Sequence, residues 1–284
     1  MDRQLLVLRT TASRQSRHAV NRDRLERASN QSQQTAITWN SRPLCCRYLA
    51  VVFVTQPMTG REECGGRDDA VRWAIGVLAD GEHEVVGVWW QPVMGVLSWQ
   101  DVFADLRLRG VDKIRFVAGN ESVARDEAMR ASYPLAKALP SVGEVLRQSL
   151  AQVALRDRGS AAQMLSTIRT AGSARAARAA LTTLEAGPLG ARYPSTAKLW
   201  RSAVEQLEPL YMLAPRLQRI VRWSDDAAQQ LRESLSRVVS RQGCIISQGA
   251  ALSLVVAALG RAERQLAERV ENSMETPRIE AVGL

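Results

Sequence analysis

Two apolar runs flank Asp80-Gly81 in "AVRWAIGVLADGEHEVVGVWWQP". An Asp-Gly pair between β-rich runs is a strong short-range signal for an antiparallel hairpin, because tight turns need a residue with positive φ. This hairpin limits what its neighbours can do. Before it, "RYLAVVFVT" is a short β-rich apolar run. After it, "SWQDVFADLRLRGV" places Val102, Phe103, Leu106 and Leu108 close to helical spacing, with Gly110 as a stop. "DKIRFVAG" then reads as a further strand. The order expected for residues 48–120 is strand, strand, strand, helix, strand. From Asp126 onward the chain reads as helical, broken by Gly187, Pro188, Gly190 and Pro194. "DDAAQQLRESLSRVVSRQG" is expected to start a helix of its own, with Ser224 or Asp225 as its N-cap. A long amphipathic helix follows, then a tail. The class is α/β: a mixed sheet with a mainly helical remainder.

The chain has 284 residues, 46% of them hydrophobic, enough for a packed core. Its net charge of +9 fits a polyanion partner, or simply a basic protein without one. The basic side chains are overwhelmingly Arg; the lysines are Lys113, Lys137 and Lys198. Arg suits phosphate through its planar fork, though a GC-rich genome yields the same bias. Cys45, Cys46, Cys64 and Cys244 form no CxxC pair, and the histidines are His18 and His83, which argues against zinc and against a disulfide framework. No apolar run reaches the ~20 residues of a membrane helix, and "MDRQLLVLRTTASRQSRHAV" is too weak for a signal peptide. A reducing cytoplasm is the expected location. Residues 10–42 are polar without apolar periodicity, so residues 1–47 read as a basic, largely disordered arm.

Three antiparallel strands, a helix and a strand resemble the start of a ribonuclease H-like domain. Four stretches also resemble Mutator-type transposases of bacterial insertion sequences. These are "DGEHEVVGVWW", "SWQDVFADLRLRGVDKIRFVAG", "RYPSTAKLWRSAVEQLEPLYMLAPRLQRIVRW" and the closing "AAQQLRESLSRVVSRQG" with "GAALSLVVAAL". Together they cover roughly residues 48–262, in the family's order. The resemblance implies a ribonuclease H-like mixed-sheet core beginning at 48–120, a mainly helical insertion at 121–222, and closing helices at 223–267. Residues 268–284 are a tail. The family's folded DNA-binding region ahead of the first aspartate reads as truncated or replaced here.

The resemblance further implies two aspartates on neighbouring strands and a glutamate on a later helix, holding Mg²⁺ ions for phosphoryl transfer. Matched onto this chain, those positions fall on Ala50 in "YLAVVFV", Ala118 in "IRFVAG" and Gln229 in "DAAQQLR". A family Cys-x-x-His pair falls on Ser141 and Glu144, and a family Asn on Asp226. Two-metal catalysis needs bridging anionic oxygens, and alanine supplies none. The expectation is no catalytic residue, no metal site and no cofactor in this copy. Asp68, Asp69, Asp80, Asp112, Asp225 and Asp226 read as turn or cap residues, with a relocated acidic site as the lesser alternative.

Nucleic-acid affinity is what such a copy would keep. Arg216, Arg219 and Arg222 recur at i, i+3 and i+6, and Arg232, Arg237 and Arg241 follow. With the resemblance, these six are assigned to double-stranded DNA, including insertion-sequence ends. Arg169, Arg175 and Arg178 read as a solvated helical face. The expected function is a transposase-like protein of DNA transposition and recombination, inactive as an enzyme. The alternative is a DNA-binding or transposase-binding regulator. A homo-oligomer or a related transposase subunit is a further expected partner, a membrane is not, and the location is the bacterial cytoplasm near the nucleoid.

Overall fold

A computed structural model of the chain describes residues 34, 37–38, 40–58, 70–91, 98–119, 122–242 and 248–275. Most of the polar arm, the loop with Asp68 and Asp69, and residues 276–284 lie outside the described residues.

Five strands form one sheet: β1 (Arg47–Pro57), β2 (Ala70–Val77), β3 (His83–Gln91), β4 (Lys113–Gly119) and β5 (Lys137–Pro140), in the order β3-β2-β1-β4-β5. β1 pairs antiparallel with β2, and β2 with β3, while β1–β4 and β4–β5 are parallel. The hairpin turns at Asp80-Gly81 as expected. Asp80 Oδ1 accepts the Glu82 amide at 2.9 Å, and Gly81 takes φ 107°. The three residues between Leu78 and Glu82, which share a backbone bond, make it a three-residue loop.

The helices are α1 (Trp99–Leu108), α2 (Val123–Ser132), α3 (Val142–Gln152), α4 (Arg158–Thr170), α5 (Ala174–Ala186), α6 (Pro188–Arg192), α7 (Pro194–Gln206), α8 (Glu208–Tyr211), α9 (Pro215–Gln242) and α10 (Gln248–Glu275). Successive residues of a strand face opposite ways, and β1 uses both faces. Val51 and Phe53 pack with Val102, Phe103 and Met129 of α1 and α2. Ala50, Val52 and Val54 join the larger core under α9 and α10. The sheet is thus the middle of three layers, and α3 to α7 pack beside it around Trp200, whose indole N–H donates to Ser149 Oγ at 2.9 Å.

Three expectations need correction. The chain is not all helical after Asp126: β5 adds a fifth strand within the stretch read as a helical insertion. Its four residues, "KALP", are too few for any periodicity, and only pairing with β4 makes them a strand. Nor does a helix start at Ser224 or Asp225. α9 runs unbroken for 28 residues from Pro215, so both lie inside it. Mid-helix Ser and Asp are tolerated because they have partners: Ser224 Oγ donates to the Ile220 carbonyl at 2.8 Å, and Asp225 reaches α3. The segment 268–284 read as a tail is helical as far as Glu275.

Candidate active site

β4 and β5 run parallel and end together beside the N-terminus of α3. Ligand sites of open α/β sheets form beyond the carboxyl ends of such strands. Here a cleft of about 310 Å³ is lined by Ala118, Val142, Arg219, Trp223, Asp225 and Asp226, among others.

The three positions assigned by resemblance lie on β1, β4 and α9, elements that pack together near this region. Ala50 and Ala118 are 0% and 2% exposed on adjacent strands, where Ala50 is opposite Phe116 and Ala118 opposite Val52. Both belong to the core on the α9 side of the sheet. Gln229 on α9 is buried, and its Nε2 donates to Ser141 Oγ at 2.8 Å. Ser141 caps α3, its Oγ accepting the Glu144 amide at 3.3 Å, while its own amide donates to the Gly119 carbonyl at the tip of β4. Ser141 thus connects the β4 end, through its amide, to Gln229, through its hydroxyl. Gly143 permits this approach: a Cβ there would stand 2.8 Å from Gln229 Cγ.

Two carboxylates lie near. Asp225 Oδ2 accepts the Gly143 amide at 3.1 Å, and its Oδ1 has no hydrogen-bond partner. Burial pushes the Asp225 carboxyl up to about 6, against the opposing help of Ser141 and the α3 amides. Asp226 pairs with Arg169 at 2.6 Å. Alanine methyls and a neutral amide offer no anionic oxygen, and among the described residues no group of three or more His, Cys, Asp and Glu is placed to hold a metal ion.

Glu144, which the resemblance matches to a family histidine, is the centre of an ion cluster. It accepts from Arg147 Nε and Arg232 Nη1, each at 2.8 Å, and from Gln148 at 3.0 Å. Burial favours its neutral form, but Arg147, Arg232 and Gln148 outweigh that and hold the carboxyl below its ordinary range.

The six assigned arginines divide. Arg216, Arg219, Arg237 and Arg241 are exposed. Arg232 is taken up by Glu144. Arg222 donates to the Arg169 and Ala171 carbonyls, closing the C-terminus of α4. The sequence held no signal that separates Arg222 and Arg232 from the others: at ~100° per residue Arg222 points away from the apolar stripe of α9, and its partners are the carbonyls that end α4. The docking of Asp225 and Gln229 onto Ser141 and Gly143 had no signal either, because those residues come from elements more than 80 positions apart in sequence.

A family profile described as "Transposase, Mutator family" matches residues 11–268. The chain belongs to that family. It is 30% identical over 227 residues to the transposase for insertion sequence element ISRM3 of Rhizobium meliloti (strain 1021), covering 80% of this chain and 56% of that protein. It is 28% identical over 246 residues to a probable transposase for an ISRM3-like element of Sinorhizobium fredii (strain NBRC 101917 / NGR234), covering 87% and 61%. A probable insertion-sequence transposase of Corynebacterium diphtheriae is 29% identical over 179 residues, covering 63% and 52%. The chain therefore spans little more than half the length of these relatives. The family match begins within the stretch read as a polar arm.

Proposed function

We propose that this chain is a DNA-binding, transposase-type protein with a ribonuclease H-like core, and that this copy has lost its acidic triad and with it strand cleavage and transfer. The core runs from residue 48 and takes in β5, and the helices that follow form the insertion before α9 and α10 close the sheet. The strand order, with antiparallel β1 to β3 and parallel β4 and β5, supports the ribonuclease H-like reading. The observation that carries the loss is the buried trio itself: Ala50, Ala118 and a Gln229 whose amide serves a serine hydroxyl. Paired divalent ions require bridging carboxylates, and these residues do not fit them. Asp225 and Asp226 make poor substitutes, since one is held on a backbone amide and the other on Arg169.

The test is incubation with Mg²⁺ or Mn²⁺ and insertion-sequence end DNA. The expected result is no nick and no joint product, and either product would end the reading. A second reading, a regulator that binds DNA or transposase subunits without catalysis, is favoured by the exposed arginines of α9. A gel shift on end DNA that weakens steeply with salt supports it, and no shift at low salt excludes it.

A further inference from the structure

α9 has no glycine, and no proline after its first residue, so nothing in its sequence forces a kink. At ~1.5 Å per residue its 28 residues make a rod ~42 Å long. Val221, Ala228, Leu235 and Val239 mark its buried side. At ~100° per residue, exposed Arg216, Arg219, Arg237 and Arg241 fall within ~60° of one another, diametrically opposite that side. They form two pairs whose midpoints are ~32 Å apart along the axis. Between them, the same stripe of α9 carries half-buried Trp223 and Asp226, the latter paired with Arg169, and exposed Gln230, Glu233 and Ser234, with no basic residue of the helix itself. The other two arginines of the helix are the ones turned inward to Glu144 and to the end of α4. The charge on this rod is therefore bimodal rather than continuous.

B-form DNA repeats every ~34–36 Å, close to the spacing of the two pairs, and flexible arginine stems can cover the difference. We propose that α9 lies along a B-form duplex, with each arginine pair gripping backbone phosphates one helical turn from the other. The neutral-to-acidic centre then sits over the intervening groove, where Glu233 meets no phosphate. This rests on the DNA-binding reading above and deepens it. The contact is to the backbone, so it sets register without reading sequence. Arg216 would exchange its exposed bond to the Asp80 carbonyl, 3.1 Å, for a phosphate.

The experiment is fluorescence anisotropy on the full chain with random-sequence duplexes of about 24 and about 8 base pairs, the second shorter than one ~10-base-pair turn, across a salt series. On the long duplex, R216A/R219A and R237A/R241A should each reduce the log–log salt slope by ~1.8, the share of two phosphates at ~0.9 each. The charge-matched R175A/R178A on α5 should leave the slope unchanged. On the short duplex, which one pair fills by itself, either double variant should leave the slope nearly unchanged. Circular dichroism checks that the exposed substitutions preserve the fold. Two results overturn the proposal while leaving DNA binding intact: a wild-type slope retained by both α9 variants on long DNA, or equal losses on both lengths. Absence of any salt-sensitive binding by the wild type removes the DNA-binding reading and the proposal together.

Discussion

Gln229 of α9 donates its side-chain amide to the hydroxyl of Ser141, the residue that caps α3, across 2.8 Å of buried space. One partner stands where the family resemblance puts a catalytic glutamate and the other where it puts a cysteine. This neutral hydrogen bond joins α9 to the start of α3, beside the Gly143 amide that Asp225 accepts. Removing one side of such a bond strands a buried polar group, which typically costs ~1–3 kcal/mol. Gln229→Ala and Ser141→Ala should each destabilise by that order. The double variant should cost clearly less than their sum, as read from urea denaturation midpoints. Additive losses would mean that the two groups do not depend on each other.

Gly143→Ala tests how closely α9 approaches α3. The new methyl would stand 2.8 Å from Gln229 Cγ and 3.3 Å from its Cβ. Overpacking of this kind costs ~1–3 kcal/mol. Adding Gln229→Ala removes the nearer contact, so thermal melts should show part of the methyl's cost relieved in that background. An undiminished cost would place the strain elsewhere.

Arg232 and Arg237 are five residues apart on one helix and should behave differently. Arg232 is 14% exposed and paired with Glu144, which is 4% exposed. Truncating Arg232 strips a buried carboxylate of one of its partners, at a cost of several kcal/mol where burial is complete and somewhat less here. Arg237 is exposed, and its truncation should stay within ~0.5 kcal/mol. Denaturation of the two alanine variants side by side decides it, and equal effects would contradict the assignment of Arg232 to the protein interior.

Two buried groups should act on stability in opposite senses as pH changes. Burial pushes the Asp225 carboxyl up to about 6, so its contribution is full below its unfolded value, ~3.9, and is lost as pH rises to 6. Burial pushes the His83 imidazole down to about 4, so its contribution is full above ~6.5 and is lost as pH falls to 4. Relative to wild type, Asp225→Asn should therefore gain stability as pH rises between about 4 and 6. His83→Gln should gain as pH falls from ~6.5. Denaturation curves at several pH values test both signs, and two differences running in the same direction would refute one assignment.

The hairpin, α1 and the strand after it were legible because each has a local cause. Asp80-Gly81 makes its own turn, and Ser98 and Asp101 form a capping box at the start of α1. β5 was not legible, since its strand character comes from β4. The unity of α9 was hidden because "SDDA" looks like a helix start, yet tertiary contacts take up both side chains: Asp225 Oδ2 accepts the Gly143 amide of α3, and the Ser224 hydroxyl lies 2.8 Å from His83 Nε2 of β3. The matching of positions 50, 118 and 229 to acidic residues rests on resemblance alone. The contact among Ser141, Gly143 and Gln229 was not legible, because these residues meet only in the fold.

Direct titration of the full chain with Mn²⁺, followed by electron paramagnetic resonance, is the sharpest test of the claim that this copy cannot hold catalytic metal. The account predicts no saturable binding in the millimolar range for the wild type. It also predicts that A50D/A118D/Q229E, destabilised by its buried carboxylates when metal-free, gains Mn²⁺ binding together with a metal-dependent rise in melting temperature. A stoichiometric Mn²⁺ site in the wild type, abolished by D225N/D226N, would contradict it.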